Sequence, residues 1–147
     1  MSVKYTKILA AIDGSKNSLK ALSHAAAMAR FFDAELCILY VSAFSQQLPL
    51  PDQIQGSKIS QFSPSQPEIF AKQVMAEALQ CVPEGIRVQT HDEPGEPRIV
   101  ITEFAEQNGY DVIVLGSRGL GAISGLLMGS VSSYVIYKAK CPVMVVK

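Results

Sequence analysis

The chain predicts a doubly wound α/β fold on a parallel sheet. Three observations lead there: five short apolar runs of strand length recur along 147 residues, amphipathic helical patterns mostly separate them, and most of the runs are continuously apolar. Strands apolar on both faces need helices on both sides, connected by right-handed crossovers. The length fits one domain spanning 1–147, large enough to bury about 70% of the surface its unfolded form exposes.

The first strand is expected at Lys7 to Ile12, followed by a helix from Ser15 to about Phe32. Ser15 is placed to cap it, and Leu19, Leu22, Ala26 and Ala29 share one face, where alanine permits close packing. The second strand reads Leu36 to Val41. The segment 42–65 has no periodicity and is rich in Ser, Gln and Pro, so a mobile loop is expected there, over the rim where strand two ends. A second helix starts near Ser65 with Pro67 in its first turn. It carries Phe70, Val74 and Ala78 beside Met75, Leu79 and Val82, and Pro83 and Gly85 stop it. Strand three is expected at Ile86 to Thr90. The third helix opens at Glu96-Pro97, buries Val100, Ile101, Phe104 and Ala105, and ends at Asn108-Gly109. Strand four, Val112 to Leu115, precedes a glycine-rich stretch. A last helix runs from Ser130 to Ala139, with Lys138 and Lys140 at its negative end, and strand five is Val143 to Val146.

Composition excludes several classes. Net charge is zero, so the footprint of a nucleic-acid binder is missing, and the expected partners are proteins or small molecules. The start, MSVKYTKILAAID, has too short an apolar stretch and too early an acid for a signal peptide or a membrane span, so a cytoplasmic location is expected. The three cysteines, Cys37, Cys81 and Cys141, lack C-x-x-C spacing and read as reduced core residues. His24 lies opposite the apolar stripe of its helix and reads as solvated, and His91 reads as a loop residue ending strand three. Two histidines without a cysteine pair argue against structural zinc. No G-x4-G-K-[ST] run is present, and Gly119-Leu-Gly121-Ala-Ile-Ser124 misses the last glycine of the dinucleotide fingerprint.

The motif with chemical content is Gly116-x2-Gly119-x9-Gly129-Ser130, between strand four and the last helix. A strand, a glycine loop and a helix N-terminus together gather backbone N–H donors at the positive end of a helix dipole, which suits phosphate or another anion. Glycine is expected there so that the backbone can reach the anion and take left-handed turns. Each charge-assisted N–H contact contributes about 1.5–3 kcal/mol, so three or four could hold a polyphosphate without a dedicated lysine. In doubly wound sheets ligands sit at the carboxyl ends of the strands where the order reverses, so Asp13, after strand one, should meet this loop. The serines after Gly129 read as capping and phosphate contacts.

These motifs, with KILAAIDGS, Gly95-Glu96-Pro97 and the ending SVSSYVIYKAKCPVMVVK, resemble the universal stress protein family over nearly the whole chain, specifically its ATP-binding branch. The resemblance implies a flavodoxin-like, or adenine-nucleotide hydrolase-like, five-stranded sheet in order 3-2-1-4-5. It also implies a homodimer joined through the C-terminal strand 142–147, which would remove an apolar sheet edge. By the same resemblance Gly116, Gly119, Gly129 and Ser130 cradle the triphosphate, with Val131 as a further backbone donor and Arg118 as an added phosphate contact. Asp13 faces the ribose, the phosphates or their Mg²⁺, and Ala11 and Val41 border the adenine. The implied function is a nucleotide-dependent regulator or sensor in the stress response. Two alternatives stand beside it: a slow ATPase or autophosphorylating enzyme, and a nucleotide-independent adaptor docking a client protein through 42–65.

Overall fold

The computed structural model describes residues 1–42, 67–119 and 128–147. In chain order the elements are β1 (Lys7–Ile12), α1 (Lys16–Phe32), β2 (Glu35–Ser42), α2 (Pro67–Gln80), β3 (Val88–Pro94), α3 (Pro97–Gln107), β4 (Val112–Gly116), α4 (Ser130–Lys138) and β5 (Val143–Val146). All strand pairs are parallel, in the order β3-β2-β1-β4-β5. The doubly wound sheet expected from the alternation is therefore the one observed.

Period-two alternation divides the three central strands between two cores. Ile8, Ala10, Ile12, Leu36, Ile38, Tyr40, Val112 and Val114 face the side covered by α1 and α2, against Leu22, Ala25, Ala29, Phe70 and Val74. Leu9, Ala11, Cys37, Leu39, Val41, Ile113 and Leu115 face the other side, against Ile101, Ala105 and Val135 of α3 and α4. The alanines of α1 let it settle close to β1 and β4. Ser15 caps it as expected, its hydroxyl accepting the Ser18 N–H at 3.1 Å.

Several boundaries and positions differ from the sequence reading. β3 starts two residues late and runs on to Pro94, because its register against β2, from Leu36↔Val88 to Ser42↔Pro94, outweighs its polar composition. It is an edge strand whose outward residues Gln89, Thr90, Asp92 and Pro94 meet solvent, so apolar content marks it poorly. His91 accordingly lies within the strand, its ring 5.1 Å from that of Phe104. Ser42, expected in the loop, closes β2; the rest of that expected loop and the Ser65 start of the second helix lie outside the described residues. Leu79 is exposed, and only Cys37 of the three cysteines is fully buried. Among the described residues no helix is long and apolar enough to cross a membrane.

The amino end of the sheet is locked by Asp111, one residue before β4. One carboxylate oxygen accepts from Thr6 N (2.7 Å), Thr6 Oγ1 (2.8 Å) and Lys7 N (2.9 Å), while the Asp111 N–H donates to Lys7 O at 2.9 Å. Burial pushes this carboxyl up, but the donors from Thr6 and Lys7 outweigh burial and hold it below its ordinary value. Asp111→Ala should cost about 1–2 kcal/mol in urea unfolding at neutral pH. Because the folded value is the lower one, this contribution is complete above the ordinary carboxylate range and fades as pH falls through the folded value. The gap between wild type and variant should therefore close in acid.

Candidate functional site

The carboxyl end of β1 turns sharply into α1. Gly14 takes a φ of 90°, which lets the Asp13 carboxylate accept the Ser15 N–H at 2.9 Å. Ser18 tightens the turn from inside the helix: its hydroxyl donates to Ser15 O at 2.9 Å and accepts the Asp13 N–H at 3.3 Å. Asp13 is thereby fixed on the rim where β1 and β4 end.

The chain leaving β4 is organised around one carbonyl. Ser117 N donates to Val146 O of β5 at 2.8 Å, while Ser117 O accepts from Gly129 N at 2.6 Å and from Ser132 Oγ at 2.9 Å. The two ends of the glycine motif are thus held side by side, and residues 120–127 between them lie outside the described residues. Asn17, in the first turn of α1, joins this junction. Its Oδ1 accepts the Arg118 N–H at 3.0 Å, and its Nδ2 donates to Val146 O at 3.1 Å.

The left-handed turns expected of the motif glycines are not observed, and two of these glycines meet a need that the sequence did not show. None of Gly116, Gly119 and Gly129 has a left-handed backbone; Gly129, for example, is extended at φ −78° and ψ 170°. A Cβ on Gly116 would strike the Asn17 carboxamide and crowd the Asn17 backbone, and one on Gly119 would strike the Asp13 carboxylate. At Gly116 bareness is required by close approach of the α1 turn, and at Gly119 it leaves the Asp13 carboxylate in its place. A Cβ on Gly129 would find only ordinary contact, 3.6 Å from Arg118 Cα and Ser117 O, so nothing within the described protein demands glycine there.

Gly129 is the N-cap of α4 and supplies no side-chain cap, which leaves the first-turn N–H groups of Ser130 and Val131 without an intrahelical acceptor. Ser130 is exposed beside them. Two expected donors are otherwise engaged: Gly129 N bonds to Ser117 O, and the buried Ser132 hydroxyl turns inward to Ser117 O and Gly129 O. Arg118 is an exposed residue next to Gly119. On the α3/α4 side, Ala11 and Val41, each 7% exposed and one residue before the ends of β1 and β2, lie in one apolar cluster with Val131. Tyr40, on the opposite face of β2, has its phenol pushed up to about 12 by burial and then by the negative charges of Asp92 and Asp13, so it stays neutral in physiological buffers.

Asp13, Arg118, Gly119 and Gly129 are therefore neighbours, and Ala11, Val41 and Val131 share one cluster. Among the described residues no group of three or more His, Cys, Asp and Glu is arranged to hold a metal ion. The sequence reading missed Asn17 and Ser117. Asn17 carried a weak signal, since asparagine is a poor helix former placed one turn after a cap; Ser117 bonds mainly through its backbone, which leaves no side-chain signature.

A doubly wound parallel sheet in the order β3-β2-β1-β4-β5 defines the flavodoxin-like class of α/β proteins, and comparison narrows it. The model of the universal stress protein family matches residues 4–147, so the chain belongs to that family. It is 37% identical over 143 residues to a universal stress protein of Methanocaldococcus jannaschii, covering 97% of this chain and 82% of the relative. A universal stress protein of Bacillus subtilis is 32% identical over 153 residues, covering 97% and 99%. Among solved structures, the universal stress protein UspA from Lactobacillus plantarum superimposes with a TM-score of 0.80 at 28% identity, covering 99% of this chain and 100% of that one. The universal stress protein from Archaeoglobus fulgidus in complex with dAMP gives a TM-score of 0.69 at 25% identity, covering 99% and 100%.

The glycines should separate by substitution. Gly116→Ala must displace Asn17 and is expected to cost about 1–3 kcal/mol, as overpacking does. Gly129→Ala adds a Cβ in open contact, and its weaker capping is offset by lower unfolded-state entropy, so its stability should stay within about 1 kcal/mol of wild type. Equal losses in urea unfolding would show that the close approach at Gly116 is not a constraint.

Proposed function

We propose that this chain binds ATP together with Mg²⁺ and acts as a nucleotide-dependent regulator of the stress response, as a homodimer in the cytoplasm. The observation that carries the reading is Gly129: a bare N-cap at an extended backbone position, where a Cβ would meet only ordinary contacts among the described residues, beside first-turn N–H groups without a side-chain cap. A phosphate chain laid against the N-terminus of α4 would meet the Ser130 and Val131 N–H groups and use the space a Cβ would take. Gly119 and Arg118 border the same space, with Asp13 against Gly119. Mg²⁺ would be held mainly by phosphate oxygens, with the Asp13 carboxylate, which lies against Gly119, adding to its shell. Ala11 and Val41 offer an apolar border for the base at the ends of β1 and β2. The solved Archaeoglobus fulgidus relative in complex with dAMP supports an adenine nucleotide as the ligand class.

The homodimer reading rests on β5, the sheet edge opposite β3. Met144 is 37% exposed there, and Ile136 and Tyr137 are exposed on α4, which packs beside β5. Pairing 142–147 with a second copy would satisfy the open edge.

The decisive measurement is calorimetric titration of wild type and Gly129→Val with Mg-ATP, together with mass spectrometry of nucleotide released on denaturation. ATP binding by wild type, lost in a variant of unchanged fold, is expected; equal affinity in both overturns the assignment. At 100 times its dissociation constant, ATP should add about 2.7 kcal/mol of stability to wild type and none to the variant. Released ADP accompanied by turnover that Asp13→Asn abolishes would instead favour a slow ATPase. For the dimer, Met144→Lys should shift wild-type dimers toward monomer in sedimentation equilibrium.

A further inference from the structure

We propose that Asn17 is the positioning residue of this site, setting the loop that leaves β4 by clamping it onto the edge strand; the inference rests on the nucleotide reading above. The carboxamide lies between a donor and an acceptor that leave no freedom in its orientation. Arg118 N–H can only donate, so the atom facing it is Oδ1, and Val146 C=O can only accept, so the atom facing it is Nδ2. No other uncharged side chain of that length offers both functions, and aspartate would set a carboxylate oxygen against the Val146 carbonyl.

The surrounding residues are shaped for this contact. Gly116 is bare where the Asn17 side chain crosses it. Val146 O accepts from Ser117 N as well as from Asn17, so the same carbonyl anchors the first two residues after β4, one directly and one through the amide. One helical turn on, Lys20 Nζ donates to Lys147 O at 2.7 Å, which fastens α1 to the end of β5 a second time. Asn17 thus fixes the N–H direction of Arg118 and, through it, the path of the chain into Gly119, next to Asp13 on one side and Gly129 on the other. Asn17 itself contributes no atom to the proposed phosphate contacts; it acts through Arg118 and Gly119.

A residue that sets the phosphate-facing loop must act on phosphates and not on the base. The test compares Asn17→Ala with wild type for Mg-ATP by calorimetry and for adenosine by competition against a fluorescent AMP analogue, with thermal unfolding of each free protein as control. Loss of one well-made hydrogen bond predicts about tenfold weaker ATP binding, with adenosine affinity changed less than about twofold. Equal weakening for ATP and adenosine would mean that Asn17 supports the fold alone and overturns the inference, as would unchanged ATP affinity. Absence of binding to wild type by either ligand overturns the nucleotide reading itself, and the role of Asn17 with it. Asn17→Asp, which keeps the acceptor for Arg118 N–H and loses the donor to Val146, should retain the apo loop but loosen β5, read as faster hydrogen exchange in 143–147. Exchange no faster than in wild type would remove the clamp onto the edge strand.

Discussion

The first turn of α1 comes into direct contact with the chain leaving β4, and this close approach governs the carboxyl rim of the sheet. Two missing side chains permit it. At Gly116 the space is filled by Asn17, and at Gly119 by Asp13. Because α1 covers β1 and β4 on one face, its N-terminus cannot retreat without opening the core around Leu22 and Ala25. The rigid packing of that face therefore presses Asp13 and Asn17 against the loop, and glycine is the residue that accommodates them. Any larger residue sets core packing against rim geometry.

The central strands were legible because burial on both faces leaves no room for polar residues. Leu36 to Val41 and Val112 to Leu115 are such runs, and the structure differs from them by at most one residue at any end. The edges obey another rule. β3 is held by hydrogen bonding to β2 and not by an apolar face of its own, so its second half, His91 to Pro94, gives no compositional sign of being a strand. The glycine motif was legible as a place, whereas the tertiary contacts that two of its glycines serve were not. Its spacing marked the strand–loop–helix junction, while the partners that require glycine, Asn17 and Asp13, lie about a hundred residues away in sequence. Local pattern reports local backbone needs, and here the need is a tertiary contact. The same limit hid the Ser117 carbonyl, whose bonds to Gly129 and Ser132 become evident only once β4 and α4 are placed.

The two ends of the sheet divide structural and site duties. At the amino end, Asp111 gathers donors from Thr6 and Lys7 and holds β4 to β1 far from the glycine loop. At the carboxyl end the hydrogen-bonding groups are arranged differently: carbonyls of Ser117 and Val146 collect donors from several elements, and the first-turn N–H groups of α4 have no side-chain cap from Gly129. A parallel sheet imposes this asymmetry. Every strand ends on the same rim, and each following helix begins there with unsatisfied N–H groups, so the rim has an excess of donors that the opposite end lacks.

That excess bears on how a chain of zero net charge could hold a polyanion. Attraction by a field of lysines and arginines acts at a distance and is screened by salt, whereas oriented N–H groups act within hydrogen-bonding range and lose little to screening. Their cost is geometric, since a donor misdirected by an ångström contributes little. A site of this type therefore depends on whatever fixes the backbone, more than on the charges near it. On this rim the fixing groups are neutral: the Ser117 carbonyl that brings Gly129 beside the β4 exit, and the Asn17 amide that orients Arg118 against β5. The same argument links the site to the edge strand. Val146 O anchors the loop through Ser117 and Asn17 while Val146 itself belongs to the open edge of the sheet, so a change in the position of β5 must alter the direction of the N–H groups that the loop presents.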